Sequence, residues 1–589
     1  MTRLLKYFKE YKLTSVLGPL FKLLEAVFEL IIPLVVKRII DNGIAVGDKG
    51  YCIQMSLVLV LLGFLGFVFS IIAQYFAAKS AVGFAANVRS ALFAHVHSLS
   101  YSDIDKLGTS TMITRLTSDI NQVQNGVNMG LRLLLRSPFI VFGAMIMAFT
   151  QDVKSALLFV VVIPILSVIV FSIIAYTIPK YKQVQARVDK VLGLTRENVN
   201  GVRVIRAFCN EDSEEKKFND ANDSLNALQL KVGRISALMN PLTYVIINAA
   251  IMFLIYACGV RVNNGLMTAG VTVALYNYMS QILVELVKLA NLIITITKAL
   301  ACANRIADVM DIEPGMTSGS ENVDIITKPD ESHSEKADTG SLTPVVEFDH
   351  ASLAYNKGAR ESLSDVSLKV YQGETVGVIG GTGCGKTSFV HLIPRFYDAT
   401  EGTVKVFGKD VKELDLKQLR NRIGIVMQKA VLFKGDVESN LAFANEYADN
   451  NEMVQALKDA QASAFLNLDS RDKKGLSYSV EQGGNNMSGG QKQRISIARA
   501  LVKKPDILIL DDSASALDYA TDAALRTAIK NLNPKPTTFI VSQRSSSVQY
   551  ADKIVVLDDG RVSGIGTHEQ LLETNEIYRE IYYSQVSAN

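Results

Sequence analysis

Long apolar stretches alternate with charged segments in the first half of the chain. Four of these stretches contain no Asp, Glu, Lys or Arg, and they lie between Lys49 and Lys79, Lys154 and Lys180, Arg234 and Arg261, and Arg261 and Glu285. Each exceeds the roughly 20 residues with which a helix crosses about 30 Å of hydrocarbon. Ser137 to Gln151 is shorter but is extended by preceding leucines, and Ser15 to Ile40 carries five charged residues. The pattern predicts six membrane-spanning helices within residues 15–310.

Two connections between these helices are long. They run from about Lys79 to Arg132 and from Pro179 to Arg234, and their mixture of Ala, Leu, Val and charged residues is typical of helix. We expect both to extend roughly 40 Å into the cytoplasm. Residues 1–14 mix Leu, Tyr and Phe with four cations. This mixture predicts an amphipathic helix at the membrane surface, with an ordinary charged helix start as the alternative.

The pattern changes after residue 310. Residues 311–344 are rich in Ser, Glu, Asp, Gly and Pro and contain few large apolar side chains, which predicts a flexible linker. From residue 345 to residue 589, short β-like runs such as TVGVIG, ILILDD and TTFIVSQ alternate with helical stretches. This alternation is typical of an α/β domain with a largely parallel sheet.

Composition narrows the possible function classes. Hydrophobic residues make up 49% of the 589 residues, a balance that soluble chains of this length rarely show. The net charge of +3 gives no electrostatic case for a nucleic-acid partner. The five cysteines show no paired spacing, which argues against a disulfide scaffold or a structural zinc site. We expect an integral membrane protein, and the lack of N-terminal targeting favours a bacterial plasma membrane.

A glycine-rich segment after the strand Thr375 to Ile379 carries the clearest chemistry. It matches G-x-x-x-x-G-K-[ST] at every fixed position, and its residues are Gly380, Gly381, Thr382, Gly383, Cys384, Gly385, Lys386 and Thr387, followed by Ser388. The glycines let backbone N–H groups turn towards phosphates, Lys386 adds a positive charge, and the Thr387 hydroxyl can ligate Mg²⁺. For Cys384 we favour the interpretation that this variable position of the motif tolerates a small residue, rather than a redox role. The segment predicts nucleotide binding without specifying the class of NTPase.

A second strand ends in two carboxylates. Ile507 to Leu510 are apolar and are followed by Asp511 and Asp512. A buried strand that places a carboxylate beside a P-loop holds Mg²⁺ through water. We therefore expect Asp511 to serve the same metal as Thr387, with two solvated aspartates at a strand end as the alternative.

A short polar segment specifies the class, and its residues are Asn486, Met487, Ser488, Gly489, Gly490 and Gln491. Here the chain resembles the nucleotide-binding domain of ATP-binding cassette (ABC) transporters, whose LSGGQ signature it matches with Met487 in the leucine position. Six spans, two long intracellular connections and a C-terminal cassette resemble exporter half-transporters of the multidrug-resistance type, which have the type IV exporter fold. The resemblance covers the whole chain except the linker.

The resemblance implies roles for further residues. Tyr355 matches the aromatic residue that stacks on adenine, and Gln428 matches the glutamine that senses the γ-phosphate and Mg²⁺. The D-loop that crosses the dimer interface matches Ser515, Ala516, Leu517 and Asp518. Coupling helices that dock on nucleotide-binding domains are expected near Met112 to Asn121 and near Phe208 to Glu214. ATP and Mg²⁺ are the implied cofactors.

Two catalytic positions depart from the family pattern. Asp512 stands where the family has its catalytic glutamate, and its carboxylate falls about 1.5 Å short of the attacking water. Gln543 stands at the position of the switch histidine, and glutamine cannot carry a proton. ABC cassettes sandwich ATP between the P-loop of one chain and the signature of another. The chain thus resembles the degenerate-site subunit of heterodimeric bacterial exporters, with a slow site of its own and a signature that completes the competent site of a second half-transporter.

The expected function is that of a subunit of an ATP-driven exporter in the lipid bilayer, for amphipathic drug-like, lipid or peptide substrates. A homodimeric exporter with two slow sites is the closest alternative, and a regulatory membrane protein with an ABC cassette is another. Glu25 and Glu29 lie four residues apart, on one face of the first span. They could bind a cationic substrate or could be neutralised by Lys22 or Lys288.

Overall fold

The computed structural model of the protein describes residues 2–322, 343–355, 360–468 and 475–586. The chain forms two compact units. The first unit comprises Met1–His97 and Gly108–Glu313, and the second comprises Ser98–Leu107 and Pro314–Asn589. The predicted linker, residues 311–344, lies largely outside the described residues.

Helices make up almost all of the first unit. They are a 3₁₀ helix (Thr2–Tyr11), α1 (Lys12–Arg38), a π-helix (Ile39–Ile44), α2 (Lys49–Ser98), α4 (Thr109–Thr114), a second π-helix (Arg115–Asp119), α5 (Ile120–Leu133), α6 (Arg136–Gln151), α7 (Val153–Ala207), α8 (Glu211–Ala237), α9 (Met239–Asn263) and α10 (Ala269–Met310), while α3 (Tyr101–Leu107) belongs to the second unit. The unbroken α2 and α7 confirm that the two long connections are helical.

Five helical segments of the described chain are long and apolar enough to cross a membrane. They are Lys49–Ser98, Thr109–Gln151, Val153–Ala207, Glu211–Asn263 and Ala269–Met310. The predicted first span, Ser15 to Ile40, is helical as α1 but does not belong to this set, because Lys22, Glu25 and Glu29 interrupt its apolar residues. The count supported by length and composition is therefore five rather than the predicted six.

The apolar core of the first unit lies among α1, α6, α7, α9 and α10. Leu30, Ala144, Phe159, Leu254 and Tyr278 are all buried there. The Tyr278 hydroxyl donates to the Leu30 carbonyl oxygen at 2.9 Å, so the polar end of this buried ring is satisfied.

An arginine joins three of these helices inside the first unit. Arg136, at the start of α6, donates to Glu29 Oε2 on α1 and to Glu285 Oε1 on α10, at 2.6 Å in each case. The Ser137 hydroxyl donates to the other oxygen of Glu285 at 2.8 Å. The side chains of Arg136 and Glu285 are 7% and 3% exposed. Buried charges need partners and hydrogen bonds, and this arrangement supplies both.

The remaining carboxylate of α1 is paired as well. Lys22 lies 2.5 Å from Glu25, three residues away on the same helix. Lys288 pairs with Glu285 at 2.8 Å rather than with either carboxylate of α1. Glu25 and Glu29 are therefore neutralised from within the first unit, which favours the structural alternative over a cationic-substrate site.

The second unit contains two main sheets and a set of helices. The strands are β1 (Val346–Leu353), β2 (Leu363–Val370), β3 (Thr375–Gly380), β4 (Glu401–Val406), β5 (Lys409–Asp410), β6 (Ile423–Val426), β7 (Gly435–Asp436), β8 (Ser479–Val480), β9 (Ile507–Asp511), β10 (Thr537–Val541), β11 (Lys553–Asp558) and β12 (Arg561–Gly566). Besides α3 and a 3₁₀ turn (Gln482–Gly484), the helices are α11 (Lys386–Leu392), α12 (Leu416–Asn421), α13 (Val437–Ala442), α14 (Asn450–Asp459), α15 (Ser463–Leu466), α16 (Gly489–Leu501), α17 (Tyr519–Lys530), α18 (Ser545–Val548), α19 (His568–Thr574) and α20 (Glu576–Val586).

A six-stranded sheet forms the centre of this unit, in the order β12-β11-β3-β10-β9-β6. All neighbouring pairs are parallel except β11 with β12, which confirms the predicted parallel sheet. β10 lies between β3 and β9, and its Val541 pairs with Val378 on one side and with Asp511 on the other. Because the carboxyl ends of parallel strands share one edge, the segments that follow these three strands meet there. The second unit also contains a four-stranded antiparallel sheet, in the order β2-β1-β4-β5.

Part of the first long connection folds with the second unit. Within Ser98–Leu107, the Tyr101 ring stacks on Phe396 with 4.5 Å between centroids. The Tyr397 hydroxyl donates to Asp105 Oδ2 at 2.7 Å. These are the contacts that the family resemblance leads us to expect of a coupling helix.

The expected position of that helix is corrected accordingly. Met112 to Asn121 belong to the first unit, so the docking segment lies earlier in the chain than the sequence suggested. The second expected position, Phe208 to Glu214, contains the turn between α7 and α8. Phe208 is 79% exposed at this turn.

Candidate functional site

The loop between β3 and α11 depends on glycine for its shape. A Cβ atom at Gly380 would lie 2.1 Å from the Leu557 carbonyl oxygen, and one at Gly385 would lie 2.4 Å from the Ser362 carbonyl oxygen. Gly385 also has a φ of +97°, which other residues rarely adopt. A Cβ at Gly381 would have no atom within 4 Å, so the tip of the loop is open. The loop is therefore packed against the protein on one side and free to approach a ligand on the other.

The exposed tip contains Gly381, Thr382 and Gly383, whereas Cys384 points into the core. Cys384 is 6% exposed and packs with the apolar residues beneath the sheet. Its burial supports the interpretation that a small residue is tolerated here, rather than a redox role.

Charge and hydroxyl groups converge at the base of the loop. Lys386 Nζ donates to the carbonyl oxygens of Gly380 and Gly381 at 2.9 and 2.6 Å, which holds the ammonium inside the loop. The Thr387 hydroxyl donates to Asp511 Oδ1 at 3.1 Å. The structure thus brings together the two residues that the sequence assigned to one metal ion.

Asp511 is 1% exposed at the end of β9. Burial, together with the charge of Asp512, raises the pKa of Asp511 to about 6. A buried carboxylate with few donors is costly when ionised, and a bound divalent cation would offset that cost. The donor set of Thr387, Asp511 and Lys386 therefore fits a magnesium–phosphate group.

The two aspartates at the end of β9 have different surroundings. Asp512 has a φ of +46°, a left-handed conformation that aspartate tolerates better than most residues. Its N–H group donates to the Val541 carbonyl oxygen at 3.0 Å, which fixes the backbone. Gln428, which follows β6, places its Nε2 atom 3.4 Å from Asp512 Oδ2. The structure thus places Gln428, the glutamine predicted from the motif, next to Asp512, which stands at the position of the family's catalytic glutamate.

Tyr355 follows β1 and is held beside the P-loop helix. Its hydroxyl is 2.7 Å from the Ser388 hydroxyl, and its ring meets Tyr397 edge-on with 4.8 Å between centroids. Burial raises the pKa of Tyr355, so the hydroxyl stays protonated. Tyr355 as a whole is 37% exposed, which leaves surface available for a base to stack.

The signature residues form a helix cap. The Ser488 hydroxyl accepts from the Gln491 N–H at 3.3 Å, and the Gln491 side chain accepts from the Ser488 N–H at 2.9 Å, at the start of α16. This capping box satisfies backbone groups that would otherwise lack partners. Ser488 and Gly489 are exposed, whereas Met487 is 7% exposed and anchors the turn. The Asn486 side chain bonds the backbone of Glu481 and Ser479, fixing the preceding turn.

The D-loop lies beside both the signature and the end of β9. A Cβ at Gly490 would lie 2.8 Å from the Ala516 carbonyl oxygen, so this position requires glycine. The Ser515 hydroxyl donates to the Asp512 carbonyl oxygen at 2.8 Å. Arg544 donates to the Leu517 carbonyl oxygen at 3.1 Å. At the far end of the loop, Asp518 caps α17.

Gln543 follows β10 and is exposed. Its carbonyl oxygen accepts from Gln585 Nε2 at 2.8 Å, and the Gln585 Oε1 atom accepts from both the N–H and the hydroxyl of Ser545. Gln585 on α20 therefore holds the segment after β10. Sequence reasoning missed this residue, because a glutamine near the chain end carries no local signal of such a contact.

The comparisons with known proteins agree with this geometry. Residues 15–286 match the ABC transporter transmembrane region, and residues 363–515 match the ABC transporter family. The chain is 34% identical over 583 residues to an uncharacterized ABC transporter ATP-binding protein of Mycobacterium tuberculosis, covering 98% of this chain and 97% of the relative. The chain belongs to the ABC transporter family.

Other relatives of this ABC transporter carry more specific descriptions. It is 30% identical to a putative multidrug export ATP-binding/permease protein of Bacillus subtilis, over 99% of both chains. It is 31% identical to an ATP-dependent lipid A-core flippase of Desulfotalea psychrophila, over 84% of this chain and 83% of the relative. A solved bacterial Atm1-family ABC exporter with ATP bound has the same fold, with a TM-score of 0.77, 22% identity and 98% of each chain covered.

These findings establish the general type of protein. The chain is an ABC exporter with the type IV fold, an integral membrane protein whose nucleotide-binding domain lies in the cytoplasm. Its ATPase activity is coupled to transport. Bound ATP would supply the phosphoanhydride bond, while Lys386 would hold the phosphates, the Thr387 hydroxyl would ligate the magnesium and Asp511 would bind it through water.

Proposed function

We propose that this ABC exporter is one subunit of a heterodimer in the bacterial plasma membrane. It exports amphipathic drug-like, lipid or peptide substrates. Its own site binds Mg·ATP and hydrolyses it slowly, and its signature completes a fast site on a different half-transporter. The observation that carries this proposal is Asp512 at the position of the family's catalytic glutamate.

The backbone of Asp512 cannot easily compensate for its short side chain. The hydrogen bonds of its N–H to Val541 and of its carbonyl oxygen to Ser515 hold the residue at both ends. A general base must come within hydrogen-bond reach of the water that it activates, and such a base contributes about 10²- to 10⁴-fold to the rate. An aspartate held in this way supports a loss of that order, about 3–5 kcal/mol in the activation free energy.

The exposed signature supports the second half of the proposal. Ser488 and Gly489 lie on the surface with their backbone preorganised by the capping box. A helix N-terminus with an exposed serine, whose hydroxyl can still donate a hydrogen bond, is suited to a phosphate that another chain presents. Because the motif is intact, it can complete a site whose own catalytic glutamate is present.

The proposal also includes a sixth membrane span, formed by α1, in addition to the five spans described above. The charges in the interior of α1 are neutralised, since Lys22 pairs with Glu25 and Arg136 of α6 pairs with Glu29, while its other charges lie at the ends of the helix. Pairing removes much of the cost of placing these groups in hydrocarbon. We assign α1 as the first span on this basis, which gives the six-helix half of a type IV exporter.

Two relatives support the proposed substrate class. One is a putative multidrug export ATP-binding/permease protein and the other an ATP-dependent lipid A-core flippase. A homodimer with two slow sites is the alternative, and it differs in requiring Asp512 to act as the working base. A regulatory ABC protein is a further alternative, in which ATP turnover would not depend on substrate.

Native mass spectrometry of the gently purified, tagged chain tests the heterodimer. A different subunit bound at one-to-one supports the proposal, and a species of twice 64.4 kDa contradicts it. In the complex, Asp512→Ala should leave ATP hydrolysis nearly unchanged, whereas Ser488→Arg should abolish it. Substrate-stimulated hydrolysis in proteoliposomes separates an exporter from a regulatory protein.

A further inference from the structure

A histidine outside the family's motifs faces the metal-binding aspartate. His391 lies on α11 four residues after Thr387, so both side chains project from the same face of the helix. Its Nε2 atom is 3.8 Å from Asp511 Oδ2. The side chain is 12% exposed, and this buried Nε2 has no hydrogen-bond partner among the described residues.

Aromatic packing fixes the direction of the imidazole. The His391 ring meets Phe396 edge-on at 5.3 Å and lies nearly parallel to Tyr397 at 6.3 Å, with 18° between the planes. Tyr397 is held in turn by its hydrogen bond to Asp105 and its contact with Tyr355. The ring therefore has little freedom to turn its nitrogen away from Asp511.

The Asp511 carboxylate offers an acceptor to this nitrogen. Thr387 donates to Oδ1, and Oδ2 faces the His391 nitrogen. An ionised carboxylate with 1% exposure needs donors at both oxygens to hold one orientation. A buried ring nitrogen that has no hydrogen-bond partner among the described residues thus faces a carboxylate oxygen across 3.8 Å.

We propose that His391 is a positioning residue that donates from Nε2–H to Asp511 Oδ2 when Mg·ATP is bound, and so keeps the carboxylate aimed at the magnesium water. Catalytic hydrogen bonds are often long without ligand and shorten on binding, here to about 2.7–2.9 Å. The inference rests on the proposed function, since it requires this chain's own site to bind Mg·ATP. It makes no use of a protonation change at the ring, because the Nε2–H tautomer suffices.

Two substitutions at His391 distinguish the role of its hydrogen-bond donor from the role of its aromatic packing. His391→Phe keeps an aromatic ring against Phe396 and Tyr397 but removes the nitrogen, whereas His391→Gln places an amide nitrogen at about the distance of Nε2. Photolabelling with 8-azido-ATP in the intact complex reports nucleotide on this subunit separately from its partner. The label is titrated at increasing Mg²⁺ and, in parallel, in EDTA.

The expected result is specific to magnesium. His391→Phe should raise the Mg²⁺ concentration for half-maximal labelling about tenfold, the effect of losing a hydrogen bond of about 1.4 kcal/mol. Labelling in EDTA should not change, and His391→Gln should stay within about twofold of the wild type. His391→Leu serves as a second donor-free variant if the phenylalanine variant does not fold.

Two outcomes overturn the inference. An unchanged Mg²⁺ midpoint in the donor-free variants removes the positioning role, and an equal loss of labelling in EDTA and in Mg²⁺ shows general packing instead. Failure of the proposed function looks different. In that case the wild-type subunit itself is not labelled above the level of a Lys386→Ala control, whatever the residue at position 391.

Discussion

The arginine that joins α1, α6 and α10 offers a quantitative test of what holds the membrane unit together. Arg136→Met keeps most of the side-chain volume and removes the charge. Two charge-assisted hydrogen bonds, to Glu29 and Glu285 at 2.6 Å each, are lost. Breaking a buried pair by removing one partner costs about 3–5 kcal/mol, because a charge is left buried and unpaired.

The structure places the effect at the lower end of that range. Glu285 retains Ser137 and Lys288 as partners after the substitution. Glu29 has a side chain that is 35% exposed, so hydration can replace part of its lost interaction. We therefore expect a destabilisation of about 3 kcal/mol and a decrease in the unfolding temperature on the order of 5 °C or more.

The assay can use the protein's own cysteines. Cys258 and Cys302 are buried in the first unit, and a thiol-reactive dye in detergent reports their exposure as this unit unfolds. Lys217→Met breaks a surface pair with Glu214 and serves as the matched control, for which no measurable change is expected. Arg136→Gln combined with Glu285→Gln should recover part of the loss. An unfolding temperature for Arg136→Met within about 1 °C of the wild type would refute the reasoning.

Three further predictions concern the nucleotide-binding unit. Lys386→Ala should reduce 8-azido-ATP labelling of this subunit at least tenfold, because the ammonium inside the P-loop is lost, while Lys504→Ala on the surface should leave labelling unchanged. Asp512→Glu combined with Gln543→His should raise hydrolysis at this subunit's site about tenfold or more, measured with the partner's site disabled; no increase would show that the two departures do not limit the rate. Tyr397→Phe should increase hydrogen exchange of the backbone of Ser98–Leu107 by removing the bond to Asp105, with equal exchange in both proteins as the contrary result.

Local sequence patterns predicted most of the cassette. The strand before the P-loop, the strand that ends in Asp511 and the parallel sheet follow from apolar runs and glycine spacing, which are local properties. The same is true of the long helix α2, whose hydrophobic and mixed stretches join without a proline, whereas α7 continues through Pro164 and Pro179. Function followed from motifs for the same reason, since each motif is a short run with fixed spacing.

Contacts between residues that lie far apart in the sequence could not be predicted from the sequence. Nothing in the sequence around Arg136 indicates that Glu29 and Glu285 lie beside it. Gln585 and the pair Asp105–Tyr397 depend on tertiary packing in the same way. His391 had a weak signal, its spacing of four residues from Thr387 on a helix. That spacing gains meaning only when the position of Asp511 is known.

The order of strands in the central sheet also has a consequence for biosynthesis. A ribosome that has passed Asp512 has already made the P-loop and Asp511, but β3 and β9 are not neighbours; the strand between them, Thr537–Val541, is made later. Gln585, which holds the segment after that strand, is made later still. Nascent chains that stall before β10 therefore lack the strand that sets the P-loop and Asp511 side by side, so we expect ATP to stabilise the cassette only after β10 has been made.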